Sequence, residues 1–170
     1  QKISIQKVNR KNLNQWSRQK EVSMKPTLVT SQLEKTKKLK ALYSKAIDDF
    51  NADPEHNITS LIDSGLVKND PKNIAAFFHS HRSLLSFTGV GLILGGAKPL
   101  FKQIMHEYID MIDFSKMSLV EALYHFLSLF RLPPESQQID RIIEKFAHTF
   151  YLSHQNEFPS ASIVYDASFA

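Results

Sequence analysis

Phe130-Arg131-Leu132-Pro133-Pro134-Glu135-Ser136-Gln137-Gln138-Ile139-Asp140-Arg141 is the stretch on which the reading of this chain turns. Before it, Leu119, Ala122, Leu123, Phe126, Leu127 and Phe130 recur at three- and four-residue spacing. After it, Ile139, Ile142, Ile143, Phe146, Ala147, Phe150 and Tyr151 do the same. Each set predicts an amphipathic helix with one apolar face. Proline has no backbone N–H and a fixed φ, so it is tolerated in a first helical turn and breaks a helix interior. Helix stop, stiff turn and helix start follow in that order. Glu135 then falls in the first turn of the second helix, where free N–H groups and the helix dipole favour a carboxylate. On pattern alone, such a residue stabilises its own helix and has no other task.

Outward from this corner the same periodicity continues. A first helix is predicted from Leu33 through Leu39, Leu42, Tyr43, Ala46, Ile47 and Phe50, ended by Asn51 to Pro54. Ile58, Leu61, Ile62 and Leu66 predict a second, stopped near Gly65. Asp70 followed by Pro71 reads as an N-cap and a first-turn proline opening a third, which carries Ile74, Phe77 and Phe78. Leu84 to Leu94 predicts a fourth, closed by Gly95-Gly96, and Pro99 opens a fifth with Ile104, Met105, Tyr108, Ile109 and Ile112 inward. Ser118 and Glu121 have the spacing of a capping box for the sixth. The seventh starts near Glu135, and an eighth runs from near Ser160 to Ala170. Short helices joined by short loops predict an all-α array.

The 170 residues suit one domain with a core, and a hydrophobic share of 42% with 12 Phe supports a globular body. Five Gly and few alternating β-branched runs argue against a β-sandwich or barrel. No cysteine occurs, which excludes a disulfide framework and a thiolate metal site. The most apolar stretch, Leu84 to Ala97, is far short of the ~20 residues a membrane-spanning helix needs. The net charge of +4 is unevenly placed: residues 1–45 hold 12 Lys/Arg against 2 Asp/Glu, and the remainder is acidic. Residues 1–32 read as a basic flexible leader or linker. Such a leader suits either contact with an anionic membrane or nucleic acid, or plain solvation. No recognition helix or stacking motif favours nucleic acid.

Chemistry that makes or breaks bonds is not written here. Gly95-Gly96-Ala97-Lys98 lacks the spacing of a phosphate-binding loop. His79 and His81 are two apart, and no His-Glu-x-x-His occurs, so no metal or cofactor is called for.

Phe130 to Arg141 resembles the first signature of the Sec-seven domain, the exchange domain of guanine-nucleotide exchange factors for Arf GTPases. The likeness extends through Ile58 to Val67, Ile74 to Phe78, Val90 to Gly95, Met105 to Phe114, and Ile139 to Ala147. The resemblance implies a right-handed helical array over residues 33–170 with a groove that receives the GTPase. It implies that Glu135 is the catalytic "glutamic finger". Phe130, Arg131, Leu132, Pro133, Gln137, Ile139, Asp140 and Arg141 are the GTPase-binding positions it carries over. The family's glutamate competes with the β-phosphate for the P-loop lysine and disfavours Mg²⁺; no cofactor takes part. A cytoplasmic protein, peripheral on Golgi or endosomal membranes, is implied, serving Arf signalling in vesicle traffic.

Departures from the pattern set further expectations. Pro134 replaces a glycine and stiffens the turn; Ser136 and Gln138 replace alanine and lysine. Asp166 stands where the eighth helix is usually apolar, so a charge is expected toward its core. The sequence stops at Ala170, before the family's second signature, so the C-terminal helices are expected to be missing. A fragment of a longer product, or an inactive and self-associating relative, is the expectation. A non-catalytic helical module that binds a GTPase or a partner subunit is the alternative function. Phe169-Ala170 match the pair found in family members resistant to brefeldin A.

Overall fold

The computed structural model describes residues 26–170, with side chains from residue 31. Eight α-helices follow one another, and no strand occurs among the described residues. They are α1 (Pro26–Ala52), α2 (Pro54–Asp63), α3 (Pro71–Ser80), α4 (Phe87–Gly95), α5 (Pro99–Asp110), α6 (Leu119–Leu127), α7 (Ser136–Ser153) and α8 (Ala161–Ala167). The all-α expectation holds. The basic leader falls largely outside the described residues.

Contacts divide the chain into a unit ending at Lys40 and one from Ala41 to Ala170. In the first, α1 already runs from Pro26 rather than from near Leu33. Proline at a helix start loses nothing, because the N–H it lacks would be unpaired there. Gln32 to Lys40 are exposed throughout.

In the second unit, five helices start with a side chain that accepts a hydrogen bond from the backbone N–H three residues on. Asp53, Asp70, Ser86, Ser118 and Ser160 serve in turn. Three expected boundaries shift. α4 begins at Phe87, not Leu84, because Asn51 holds the preceding loop: its amide donates to the Leu84 carbonyl at 2.9 Å and its oxygen accepts the Ser86 N–H at 2.7 Å. α6 ends at Leu127, which leaves Phe130 beyond the helix although buried. α8 ends at Ala167, and Asp166 is exposed, so the charge expected toward its core faces away.

The core is aromatic around the sixth and seventh helices. Phe126 stacks on Phe146 at 4.9 Å, and Phe114 meets Phe146 edge-on at 5.2 Å. α5 lies against α3, α4 and α7, and α7 lies against α4, α5 and α8. His79 on α3 stacks on the Tyr108 ring at 3.8 Å with Nε2 2.8 Å from the Tyr108 carbonyl oxygen, and burial pushes its pKa down. Burial likewise pushes the Tyr108 hydroxyl up to about 12. α4 and α7, the elements that frame the proline corner, therefore sit on a packed base.

Candidate functional site: the proline corner and the α7–α8 groove

Five contacts hold the corner. Phe130 is 2% exposed, with its ring edge-on to Phe126 at 5.2 Å and to Tyr108 at 6.1 Å. The Arg131 N–H donates to the Phe87 carbonyl at 3.0 Å. The Arg131 carbonyl oxygen lies so close over Gly91 that any Cβ there would collide with it. One turn further, a Cβ on Gly95 would come within 2.8 Å of both the Pro133 ring and the Gln138 Cβ. The strip from Gly91 to Gly95 is thus the bed on which the corner lies, and Pro133 is buried against it. Arg141 adds a bond from below, Nη2 to the Gly95 carbonyl at 2.5 Å.

Glu135 stands above this bed. It is the N-cap of α7, one position ahead of the first turn where the sequence reading put it, with φ −88 and ψ 128. Its carbonyl accepts the N–H groups of Gln138 at 2.9 Å and Ile139 at 3.1 Å. Its carboxylate caps no backbone N–H. Among the described residues, the donor it meets is the Gln138 side-chain amide at 3.3 Å. Among the described residues it forms no ion pair, and it is exposed. Pro134 beside it is exposed too.

A groove of about 440 Å³ begins at Ser136 and runs between α7 and α8, lined by Gln137, Ile139, Asp140, Tyr165 and Phe169. Asp140 accepts a short hydrogen bond from the Tyr165 hydroxyl, which closes the floor between the helices. That bond, together with burial and the neighbouring carboxylates, pushes the Tyr165 pKa up. A larger hollow of about 780 Å³ lies on the other side of Asp140 and Tyr165, lined by Lys102, His106, Glu144, Lys145 and His148. Glu135 lines neither hollow, but the smaller one reaches Ser136 and Gln137, the residues that directly follow it.

The nine positions carried over in the sequence reading separate into two sets. Glu135, Arg131, Gln137 and Asp140 are exposed, and Leu132 and Ile139 half-buried, around the corner and groove. Phe130 and Pro133 are buried, and the Arg141 guanidinium is turned inward to Gly95. Sequence reasoning missed Gly91 and Gly95 as the bed, and Tyr165 and Phe169 as the far wall. The spacing of two glycines four apart, on one helix face, was the available signal.

The Sec7 domain family model matches residues 39–170. The chain belongs to the Sec7 domain family. Human brefeldin A-inhibited guanine nucleotide-exchange protein 1 is 40% identical over 136 residues, 79% of this chain and 7% of that protein. Human cytohesin-2 is 38% identical over 121 residues, 71% of this chain and 30% of that protein. This Sec7 chain therefore spans less than a third of the curated relatives it matches. Among solved structures, the Sec7p catalytic domain is similar with TM-score 0.69 and 38% identity, over 74% of this chain and 67% of that one. A Sec7 domain bound to ARF1-GDP and brefeldin A is similar with TM-score 0.71 and 30% identity, over 79% and 68%.

Proposed function

We propose that this chain is a guanine-nucleotide exchange domain for Arf-family small GTPases, with Glu135 as the residue that displaces nucleotide. The observation that carries the reading is an exposed carboxylate, in no ion pair among the described residues, on a corner fixed at both ends. The solved relative holding ARF1-GDP supports the choice of partner.

The GTPase docks on the α7–α8 groove, where Gln137, Ile139 and Asp140 meet it, and Arg131 and Leu132 extend the contact past the corner. Docking brings the Glu135 charge into the nucleotide site. There it competes with the β-phosphate for the P-loop lysine and opposes Mg²⁺, so affinity falls because a negative charge occupies potential built for phosphate and metal. No covalent bond changes.

Among the described residues no helix is long and apolar enough to cross a membrane. The basic leader supports peripheral attachment to an anionic membrane, on the cytoplasmic face of Golgi or endosomal compartments. Ile163 on α8 and Phe169 just after it, both exposed, support self-association of the isolated chain.

The test is nucleotide release from an Arf protein, measured with and without this chain. Accelerated release in its presence is expected, and release at the spontaneous rate overturns the reading. Brefeldin A, added at a level that stops a sensitive relative, is expected to leave the rate unchanged because of Phe169-Ala170.

A further inference from the structure

The start of α7 differs from five other helix starts in this molecule. At Asp53, Asp70, Ser86, Ser118 and Ser160 the capping side chain folds back onto the N–H three residues on. Glu135 has an acceptor of the same kind, yet it does not close this bond. Its carboxylate instead meets the side-chain amide of the residue three on, Gln138 Nε2, at 3.3 Å.

Gln138 has little freedom to do otherwise. Its Cβ is pressed toward Gly95, and its Oε1 is turned to the same glycine, buried and with no donor among the described residues. Exchanging the amide oxygen and nitrogen would set an oxygen lone pair against the Glu135 carboxylate, which is repulsive. An amide that leaves its buried oxygen unpartnered does so at a cost, and the donor it thereby presents to Glu135 is what offsets that cost.

We infer that Gln138 is a positioning residue for Glu135: its amide, braced against Gly95, holds the carboxylate forward of the α7 N-terminus and off the backbone N–H groups that would otherwise draw it down. The inference rests on the exchange reading above for its functional consequence, and on the geometry alone for the contact itself. A carboxylate held forward needs no rearrangement when the GTPase docks, so the gain is in the displacement step and not in docking affinity.

Two measurements test it. In the first, side-chain amide resonances of Gln138 are followed by NMR in the isolated chain. They are expected to shift when Glu135→Ala removes the acceptor, and unmoved resonances overturn the inference whether or not the chain exchanges nucleotide. In the second, nucleotide release is compared for parent, Gln138→Leu, Gln138→Lys and Glu135→Lys, each checked for native helix content. Gln138→Leu is expected to lower the maximal rate roughly 2- to 5-fold, as loss of one partly exposed hydrogen bond to a charge would, with the half-saturating GTPase concentration unchanged. Gln138→Lys keeps a donor and is expected to restore the rate. Gln138→Leu at the parent rate, beside an inactive Glu135→Lys, overturns this inference and spares the exchange reading. A change confined to half-saturation makes Gln138 a docking contact and also overturns it. Parent-like exchange by Glu135→Lys overturns the exchange reading itself.

Discussion

The starts of α6 and α7 carry the same residue type within one turn and put it to opposite uses. At α6, Glu121 turns back on Ser118 and accepts its N–H at 2.9 Å and its hydroxyl at 2.8 Å, while the Ser118 hydroxyl accepts the Glu121 N–H. Those bonds hold the Glu121 pKa below the ordinary 4.5. Its charge is consumed by its own helix. At α7, Glu135 sits at the cap itself, after two prolines, and its backbone makes the helical bonds while its carboxylate stays in solvent. A glutamate three residues inside a serine-capped helix closes a box; a glutamate at the cap is left projecting. The lesson is that position relative to the cap, by a single turn, decides whether such a charge is structural or available.

The largest effect that can break this contrast is charge reversal. Glu135→Lys is expected to lower nucleotide release by roughly 10²-fold or more, as for loss of a group aimed at developing charge. Docking should persist, and the fold should lose only about 0.3–1 kcal/mol from the missing helix-start carboxylate, with lysine at the positive helix end adding somewhat to that. Release assays, co-elution with the GTPase and thermal melts report the three quantities separately. A folded Glu135→Lys protein that exchanges at the parent rate would reduce Glu135 to the same role as Glu121.

Next comes the bed. Gly91→Ala puts a methyl group into the Arg131 carbonyl, which cannot withdraw without loosening the Arg131 N–H bond to Phe87. Overpacking of this kind is expected to cost about 1–3 kcal/mol and to shift the corner, and a displaced finger should slow release by about tenfold. Unchanged stability in a denaturant melt would mean that the corner is not seated on α4 as described.

Pro134 sharpens the comparison from the other side. It is exposed and contributes stiffness alone, so Pro134→Gly should widen the range the finger samples. Where the stiffened turn holds the finger off its best angle, the expected outcome is a faster release by about twofold, with a slightly lower melting temperature. Slower release would show that the second proline aims the carboxylate correctly.

The smallest effect belongs to α6. Ser118→Ala is expected to lower the melting temperature by roughly 3–6 °C without altering exchange. Because the folded Glu121 has a depressed pKa, its stabilisation is complete above pH 4.5 and is lost as pH falls through the folded value. Glu121→Gln should therefore remove part of the acid slope of stability, visible as a flatter dependence of melting temperature on pH below that point. An effect of either variant on nucleotide release would blur the division between the two helix starts.

Much of this was legible in the chain as letters. Periodicity and capping residues depend on neighbours three or four apart, so Asp70-Pro71, Pro99 and Ser118-x-x-Glu121 announced their helices, and the all-α class followed. The resemblance around Phe130 to Arg141 pointed to the family to which the chain belongs. Boundaries were less legible where a distant residue intervened. The loop before Phe87 is held by Asn51, more than thirty positions away, and no local pattern announces that bond.

What the sequence determined by itself is the set of helices and the place of one carboxylate after two prolines, because both arise from backbone sterics within a turn. What only the tertiary structure decided is which way the corner faces and what holds it. Gly91 and Gly95 count as helix-weakening residues until the Arg131 carbonyl and the Pro133 ring are seen to occupy the space their side chains would have filled. Arg141 looks like a surface cation until it reaches the Gly95 carbonyl, and Gln138 like a surface amide until its oxygen is found buried. Close approach between segments forty residues apart is set by packing of the whole core, and packing is a property of the folded chain that no single stretch contains.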